Sequence, residues 1–333
     1  MKRIVLISMM MLAVAGAWAQ GSLATFQTSF TAFANALAPT LSYNATIGNN
    51  WSDAYIGKLP HFGVGLAVGA TTVPFADLEP LFAAMTIAVP AELKEFGLPI
   101  PAAALSAKLG GLILPFDLGV KAMILPDSLK TILSGSGITA DYTLFGGNIR
   151  YGVLKENILL PDVSIGAGYN RLTGSIGMTL DTEVPSFTFN DGSANHTIAA
   201  TNPELSMDWT TDSYDLTVQV SKNFLFIRPY AGAGYSFGKS TVSGGLKSDV
   251  TYDSSPISQS QLDEINATLV ASGSTAVPLS AAGILFGNES TEPAIRVYGG
   301  VSLALIIIHL DLSATYVPAT KSLGASAMIR VQL

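Results

Sequence analysis

The chain has no cysteine among its 333 residues, which excludes structural disulfides, thiolate metal sites and a thiol nucleophile. It equally excludes lipid attachment to a cysteine at a processed amino terminus. Charge is scarce: Asp, Glu, Lys and Arg make up 12% of the residues, about half the share of an average soluble domain. Net charge is -7 and no basic stripe runs along any segment, so nucleic acid is not an expected partner. The only histidines, His61, His196 and His309, are scattered without metal-ligand spacing. Glycine clusters such as residues 232–234 lack the following helix that a phosphate cradle needs. No metal and no cofactor are expected. Past the amino terminus, no uncharged apolar run approaches the roughly 20 residues of a membrane helix; the most apolar, residues 301–308, is interrupted by Ser302.

Against these absences stands a hydrophobic content of 49% and a mean hydropathy of +0.43. The amino terminus supplies part of it. Lys2 and Arg3 precede an apolar stretch at residues 4–15, and Ala17-Trp18-Ala19 forms a small-x-small site before Gln20. That is the pattern of a cleaved secretory signal peptide over residues 1–19. An amino-terminal membrane anchor would need a longer apolar run. An exported, hydrophobic chain without membrane helices points to a closed barrel, because only helices and closed barrels satisfy every backbone group in lipid.

The carboxy terminus carries the strongest periodicity. Ile308, Leu310, Leu312, Ala314 and Tyr316 alternate with His309, Asp311, Ser313 and Thr315; Leu323, Ala325, Ala327, Ile329, Val331 and Leu333 continue the pattern after a short break. A period of two marks a strand with unlike media on its two faces. Its length suits a bilayer crossing of roughly 9–11 residues better than an ordinary strand of about 5–6, which a soluble β-sandwich would use.

The same pattern recurs at residues 62–70, 105–109, 112–124, 141–153, 163–169, 172–180, 205–220, 225–242 and 294–305, with residues 41–47 a weaker instance. Gly110-Gly111 shifts the phase between two of them; a hairpin turn is preferred to a bulge there, since Gly-Gly suits the positive dihedrals of a two-residue turn. The expected fold is all-β: a closed antiparallel transmembrane β-barrel of about 12 strands (about 10–14) with a short amino-terminal plug helix. That helix is read over residues 22–38, with Leu23, Phe26, Phe30, Phe33 and Leu37 at spacings of three and four and Pro39 ending it. It lacks Lys and Arg, so it is not a helix for an anionic membrane surface; it is expected to plug the barrel mouth. The domain reading is thus a signal at 1–19, a plug at 20–40 and a barrel over 41–333. Polar insertions at 181–203 and 247–293 are taken as long outward loops, and short helical excursions are expected at residues 78–84 and 90–96.

A cleaved signal, alternating strands and a final strand reaching the last residue together resemble bacterial outer-membrane β-barrel proteins. The resemblance implies an outer-membrane location, outer-membrane lipid as surroundings, and assembly machinery that reads the final strand, here residues 321–333. In that family the last residue is typically aromatic; here Leu333 stands in its place, while Val331 and Ile329 keep the spacing. A helix ahead of a barrel also loosely resembles hydrophobic-compound transporters of the long-chain fatty acid type, including spirochaetal versions, in which an amino-terminal hatch fills the lumen.

If the apolar face meets lipid, Lys108, Asp117, Lys121, Asp215, Arg296, His309, Asp311 and Arg330 point into the lumen. An outward Arg or Lys would cost about 2–4 kcal/mol at midplane. Such charges either set a selectivity or ligand field or neutralise one another in a packed interior. His309 and Asp311 share a face, which keeps a barrel hydrolase in view, although no nucleophile is placed beside them and an enzyme is not expected. Tyr142, Tyr151, Tyr169, Tyr214, Tyr235 and Tyr316 fall near strand ends, as interfacial girdles do. Five glycosylation sequons, at Asn44, Asn50, Asn195, Asn266 and Asn288, are chance matches in a Ser/Thr-rich chain. The expected function is passage of small molecules, apolar compounds slightly favoured; the alternatives are a closed adhesin-like barrel acting through its long loop, and the hydrolase.

Overall fold

A computed structural model describes residues 20–57, 61–77, 79–80, 91–111, 115–179, 187–190, 195–271, 283–291 and 293–333. The expected signal peptide and most of residues 78–90 lie outside them, as do Leu112, Ile113 and Leu114. Thirteen strands alternate with four helices among the described residues: α1 Gln20–Asn44, β1 Phe62–Val73, α2 Ala91–Phe96, β2 Leu98–Gly110, β3 Phe116–Ile124, α3 Asp127–Ser134, β4 Ile138–Leu154, β5 Asp162–Thr179, β6 Phe187–Asn190, β7 Asn195–Ser221, β8 Ile227–Tyr252, β9 Ser255–Pro256, α4 Gln259–Ala271, β10 Gly283–Ser290, β11 Ala294–Leu305, β12 Ile308–Val317 and β13 Ser322–Gln332.

Ten of these strands close a ring, every pair antiparallel: β1-β2-β3-β4-β5-β7-β8-β11-β12-β13, with β13 returning to β1. Strand β10 extends the line of β11 along β8, since Ser290 faces Ser240 and Ala294 faces Ser236. Strands β6 and β9 pair only with β7 and β8. From Ile329, paired residues lead through Leu310 and Leu303 to Ile227 one way round. The other way they lead through Leu66, Leu105, Ala122, Phe145, Arg171 and Asp212 to Lys239. The two ends fall twelve residues apart on β8. That stagger gives a strand tilt of roughly 40° in a ten-strand barrel.

The count of ten, against about twelve expected, has two local causes. Residues 41–47 are not a strand but the end of α1 and the turn after it. Residues 163–180 do not hold two strands, since β5 runs unbroken from Asp162 to Thr179. The apparent break arises because the apolar face inverts. Ile165 and Tyr169 are exposed on the outer face, while three residues further up Leu172 is buried inside. Outside at that height stand Arg171 and Asp212, paired at 3.0 Å.

Leu144 on β4, Val242 on β8, Val73 on β1 and Ile100 on β2 likewise turn inward, onto Phe30, Phe33, Leu37 and Leu41 of α1. Below the inversion the outer face is apolar; above it the inner face is. Helix α1 passes Pro39 instead of ending there. Packing of Leu37, Ala38 and Leu41 on the wall holds both sides of the proline, and the Thr40 hydroxyl donates to the Ala36 carbonyl. Two stretches expected to be loops also carry strand: β7 begins at Asn195 and β8 continues to Tyr252, so the hairpin stands well above the ring.

Connections at one end are short. The phase shift at Gly110-Gly111 is a hairpin, as preferred, but the turn reaches to Phe116, whose carbonyl accepts from Gly111 N–H. Two-residue turns at Leu225-Phe226 and Ile306-Ile307 hold Leu225 at φ 58 and Ile306 at φ 60. Left-handed backbone at such bulky residues costs roughly 1–2 kcal/mol each. The opposite end carries the long connections, and α1 lies towards it, near β8 and β10: the Phe30 and Phe286 rings lie 6.3 Å apart. Residues 45–57 then descend through the lumen to the short-turn end, where β1 begins.

Candidate functional site

Four strand-borne cations, Lys121, Lys108, Arg150 and Arg330, converge on this descending segment. Lys121 Nζ donates to the carbonyls of Ala45 (2.5 Å) and Ile47 (2.7 Å). Lys108 Nζ donates to Asn49 O at 2.8 Å and stands 5.2 Å from the Trp51 ring centroid. Gln219 Nε2 reaches Trp51 O at 2.7 Å, and Arg150 reaches Asp53 O at 2.6 Å. Alternate carbonyls from 45 to 53 are therefore bound by the wall, which satisfies a buried, irregular backbone.

Carboxylates complete the network. Arg330 donates to Asp53 Oδ1 at 2.8 Å, to Asp311 Oδ2 at 2.9 Å and to Ser52 Oγ at 2.6 Å, while its guanidinium carbon stands 4.9 Å from the Trp51 ring centroid. Arg150 pairs with Asp117 at 2.5 Å, and Arg296 with Asp215 at 2.5 Å, joined by Ser236. Glycine makes room for these side chains. A Cβ on Gly63 would stand 2.8 Å from the Trp51 ring, and one on Gly234 2.6 Å from the Arg296 guanidinium.

All eight charged residues singled out from the sequence, Lys108, Asp117, Lys121, Asp215, Arg296, His309, Asp311 and Arg330, are buried within the barrel. They do not form one site. Arg296 and Asp215 stand as a separate pair, the lysines hold the plug, and Asp311 joins Arg330. His309 and Asp311 share a face, but Asp311 gives its Oδ2 to Arg330, while His309 Nδ1 and Asp311 Oδ1 have no partner. Among the described residues no hydroxyl is hydrogen-bonded to His309. Phe30 and Phe33 are buried as expected of the plug; the side chain of Phe26 lies outside the described residues.

Sequence reasoning missed Asp53 and Arg150. Arg150 sits in a strand whose inner face was not traced, and nothing in the local pattern around Asp53 marks it, because the segment has no regular period.

Beside the plug a crevice of about 80 Å³ remains. Its outer wall is built of small side chains on β12 and β13, among them Ser313, Thr315, Ala325 and Ser326, with Asn44 and Asp311 also lining it. Unbonded acceptors Asn44 Oδ1 and Asp311 Oδ1 belong to two of these lining residues. The lining mixes polar with apolar side chains, Ile47, Ala70, Ala102 and Met328 among the latter, while the phenylalanines of α1 pack into the wall instead of facing the gap.

Outside, the barrel is apolar. Val64, Leu66, Leu118, Val120, Leu216, Val218, Leu310, Leu312 and Ile329 are all exposed. Tyr169, Tyr214, Phe237 and Tyr235 touch ring to ring across β5, β7 and β8, at 5.3 to 5.6 Å between centroids. Tyr142, expected in the girdle, faces inward and donates to Ala103 O at 3.1 Å. Among the described residues no helix is long and apolar enough to cross a membrane.

Solved structures that the chain is similar to include outer membrane protease OmpT from Escherichia coli, at 9% identity and a TM-score of 0.35, over 82% of this chain and 97% of that one. The translocator domain of the autotransporter NalP from Neisseria meningitidis gives 7% and 0.30, over 84% and 88%. The monoaromatic hydrocarbon channel CymD gives 10% and 0.21, over 82% and 87%. Likeness at this level does not bear on activity. No curated protein matches the sequence. Residues 99–317, well over half the chain, match a family of unknown function (DUF6588), and the chain belongs to that family.

Proposed function

We propose that this protein is an outer-membrane β-barrel whose lumen is a passage for small solutes, gated by its own residues 45–57. Support for the membrane comes from the apolar outer face bounded above by the tyrosine girdle, the arrangement of lipid-embedded barrels. A single observation carries the gating reading. The plug is held by reversible hydrogen bonds and ion pairs, centred on Asp53 and Trp51, beside a crevice partly lined with small side chains. Release at Asp53 would widen that crevice towards the short-turn end without unmaking a strand pair.

Planar-bilayer conductance tests it. The native barrel is expected to show rare, small steps, and Asp53→Asn to raise open probability at least tenfold. Silence from both folded proteins would sink the passage reading. It would favour a closed barrel that acts at its outer end, which has its own supporting observation: β7 and β8, at 27 and 26 residues, rise far above the girdle.

A further inference from the structure

Three of the short connections expose large apolar side chains, beside the exposed polar residues Lys155, Asn157 and Asn223. Ile158 and Leu159, Leu225, and Ile306 are 96%, 90%, 89% and 98% exposed. Residues with these side chains are poor choices for tight turns in water, where Asn and Gly adopt positive φ readily; Leu225 and Ile306 hold φ near +60° regardless.

The turn backbones are closed on themselves. The Leu159 and Leu160 N–H groups donate to Asn157 Oδ1. Lys222 Nζ donates to the carbonyls of Asn157 and Leu160. Phe224 and Ile227 exchange both backbone hydrogen bonds, and Gln332 N donates to Ile307 O. Apolar side chains outside and satisfied backbone inside are what hydrocarbon requires and water does not.

Distance points the same way. Four outer tyrosines each stand ten residues along the chain from an exposed apolar turn residue: Tyr169 from Leu159, Tyr214 from Phe224, Tyr235 from Leu225, Tyr316 from Ile306; Tyr151, also exposed, lies instead near the short-turn end, paired with Phe116 and Ile165. Ten residues at about 3.3 Å, tilted by roughly 40°, span about 25 Å, the height of a lipid-facing apolar band. The band reaches that height only when the turns are included.

We infer that the short-turn rim, at Ile158-Leu159, Phe224-Leu225-Phe226 and Ile306-Ile307, is immersed in lipid acyl chains, continuous with the outer belt, and does not stand in water. The inference rests on the membrane reading above.

Its test turns on a sign. Leu225→Asn and Ile306→Asn relieve the left-handed backbone while making the turn polar. In phosphatidylcholine vesicles each is expected to lower the urea midpoint of unfolding; a raised midpoint would overturn the inference. Location is read separately, on a chain with no native cysteine. Leu159→Cys, Leu225→Cys and Ile306→Cys, carrying an environment-sensitive fluorophore, are expected to be quenched by acyl-brominated lipid as strongly as Val218→Cys on the belt. They should resist aqueous iodide, which quenches Ala319→Cys at the opposite end. Rim sites open to iodide while Val218→Cys stays lipid-quenched would overturn the rim inference and leave the membrane reading intact. Iodide reaching Val218→Cys as well would overturn both. Rim sites open to iodide in vesicles but shielded in native membranes would replace lipid with a protein partner.

Discussion

Asp53 is the residue on which the interior turns. Its carboxylate meets Arg330 and Gln332, its carbonyl meets Arg150, and its neighbour Trp51 lies near Arg330 and Lys108. Removing one partner of a buried pair leaves the other charge uncompensated, at a cost of about 3–5 kcal/mol. Asp53→Asn is therefore expected to destabilise the barrel by about that much in urea titrations, and Asp53→Asn with Arg330→Met by less than the sum of the two single losses. Additive losses would show that the pair is not coupled. Trp51→Ala removes the ring near two cations and is expected to cost about 3–5 kcal/mol, with larger conductance steps as its second readout. The inward direction of Arg330, Asp311 and Lys108 was legible from alternation alone. Their partners were not, because Asp53 comes from a segment without a period and is brought to β13 across most of the chain.

At the scale of elements, the inversion of the apolar face explains both what was legible and what was not. Strands whose apolar side faces outward throughout, such as β12 and β13, could be traced residue by residue. Strand β5 changes faces between Arg171 and Leu172, where the outer face turns from apolar to charged and α1 packs inside, and its single strand reads as two. The boundary predicts opposite sensitivities. Ile165→Arg, on the outer face below the girdle, is expected to cost about 2–4 kcal/mol, whereas Arg171→Leu, just above it, should change the unfolding free energy by less than about 1 kcal/mol.

Higher still, at the open upper tip of the β7–β8 pair, opposite its Leu225-Phe226 turn, His196 bonds Asp253 at 2.7 Å and the Thr197 N–H bonds it at 2.8 Å. These hold the Asp253 carboxyl below its usual range, the histidine bond being the larger cause. A depressed carboxylate stabilises the tip above the ordinary aspartate pKa, and that contribution is lost as pH falls through the depressed value. Protease cleavage at the tip is thus expected to stay constant from pH 7 to about 5 and to rise only below about 4. An increase between pH 7 and 5 would refute this.

For the whole molecule, the decisive feature is a closed ring threaded by its own amino-terminal segment. Ring closure leaves no edge among the ten ring strands to pair with another chain, and the stagger of twelve on ten strands leaves a lumen that the plug can fill. Whether the plug must move is testable by tethering it. Ser42 Oγ on α1 lies 3.3 Å from Ser240 Oγ on β8, within reach of a disulfide. Ser42→Cys with Ser240→Cys is expected to silence the conductance of an Asp53→Asn barrel when oxidised and to restore it on reduction. Conductance indifferent to the redox state would place the path away from α1.

The sequence by itself determined the barrel class and the direction of the strand charges, because a period of two between unlike media is a local property written into each strand. Only the tertiary structure decided the number of strands, the course of residues 45–57 and the pairing of Asp53 with Arg330 and of Asp215 with Arg296. Those depend on register around a closed ring, which no single strand encodes, and on contacts between residues far apart in the chain. The apolar turns were legible as letters, yet their meaning came only from their height below the tyrosines. Depth in a bilayer is a property of the assembled barrel, not of the segment.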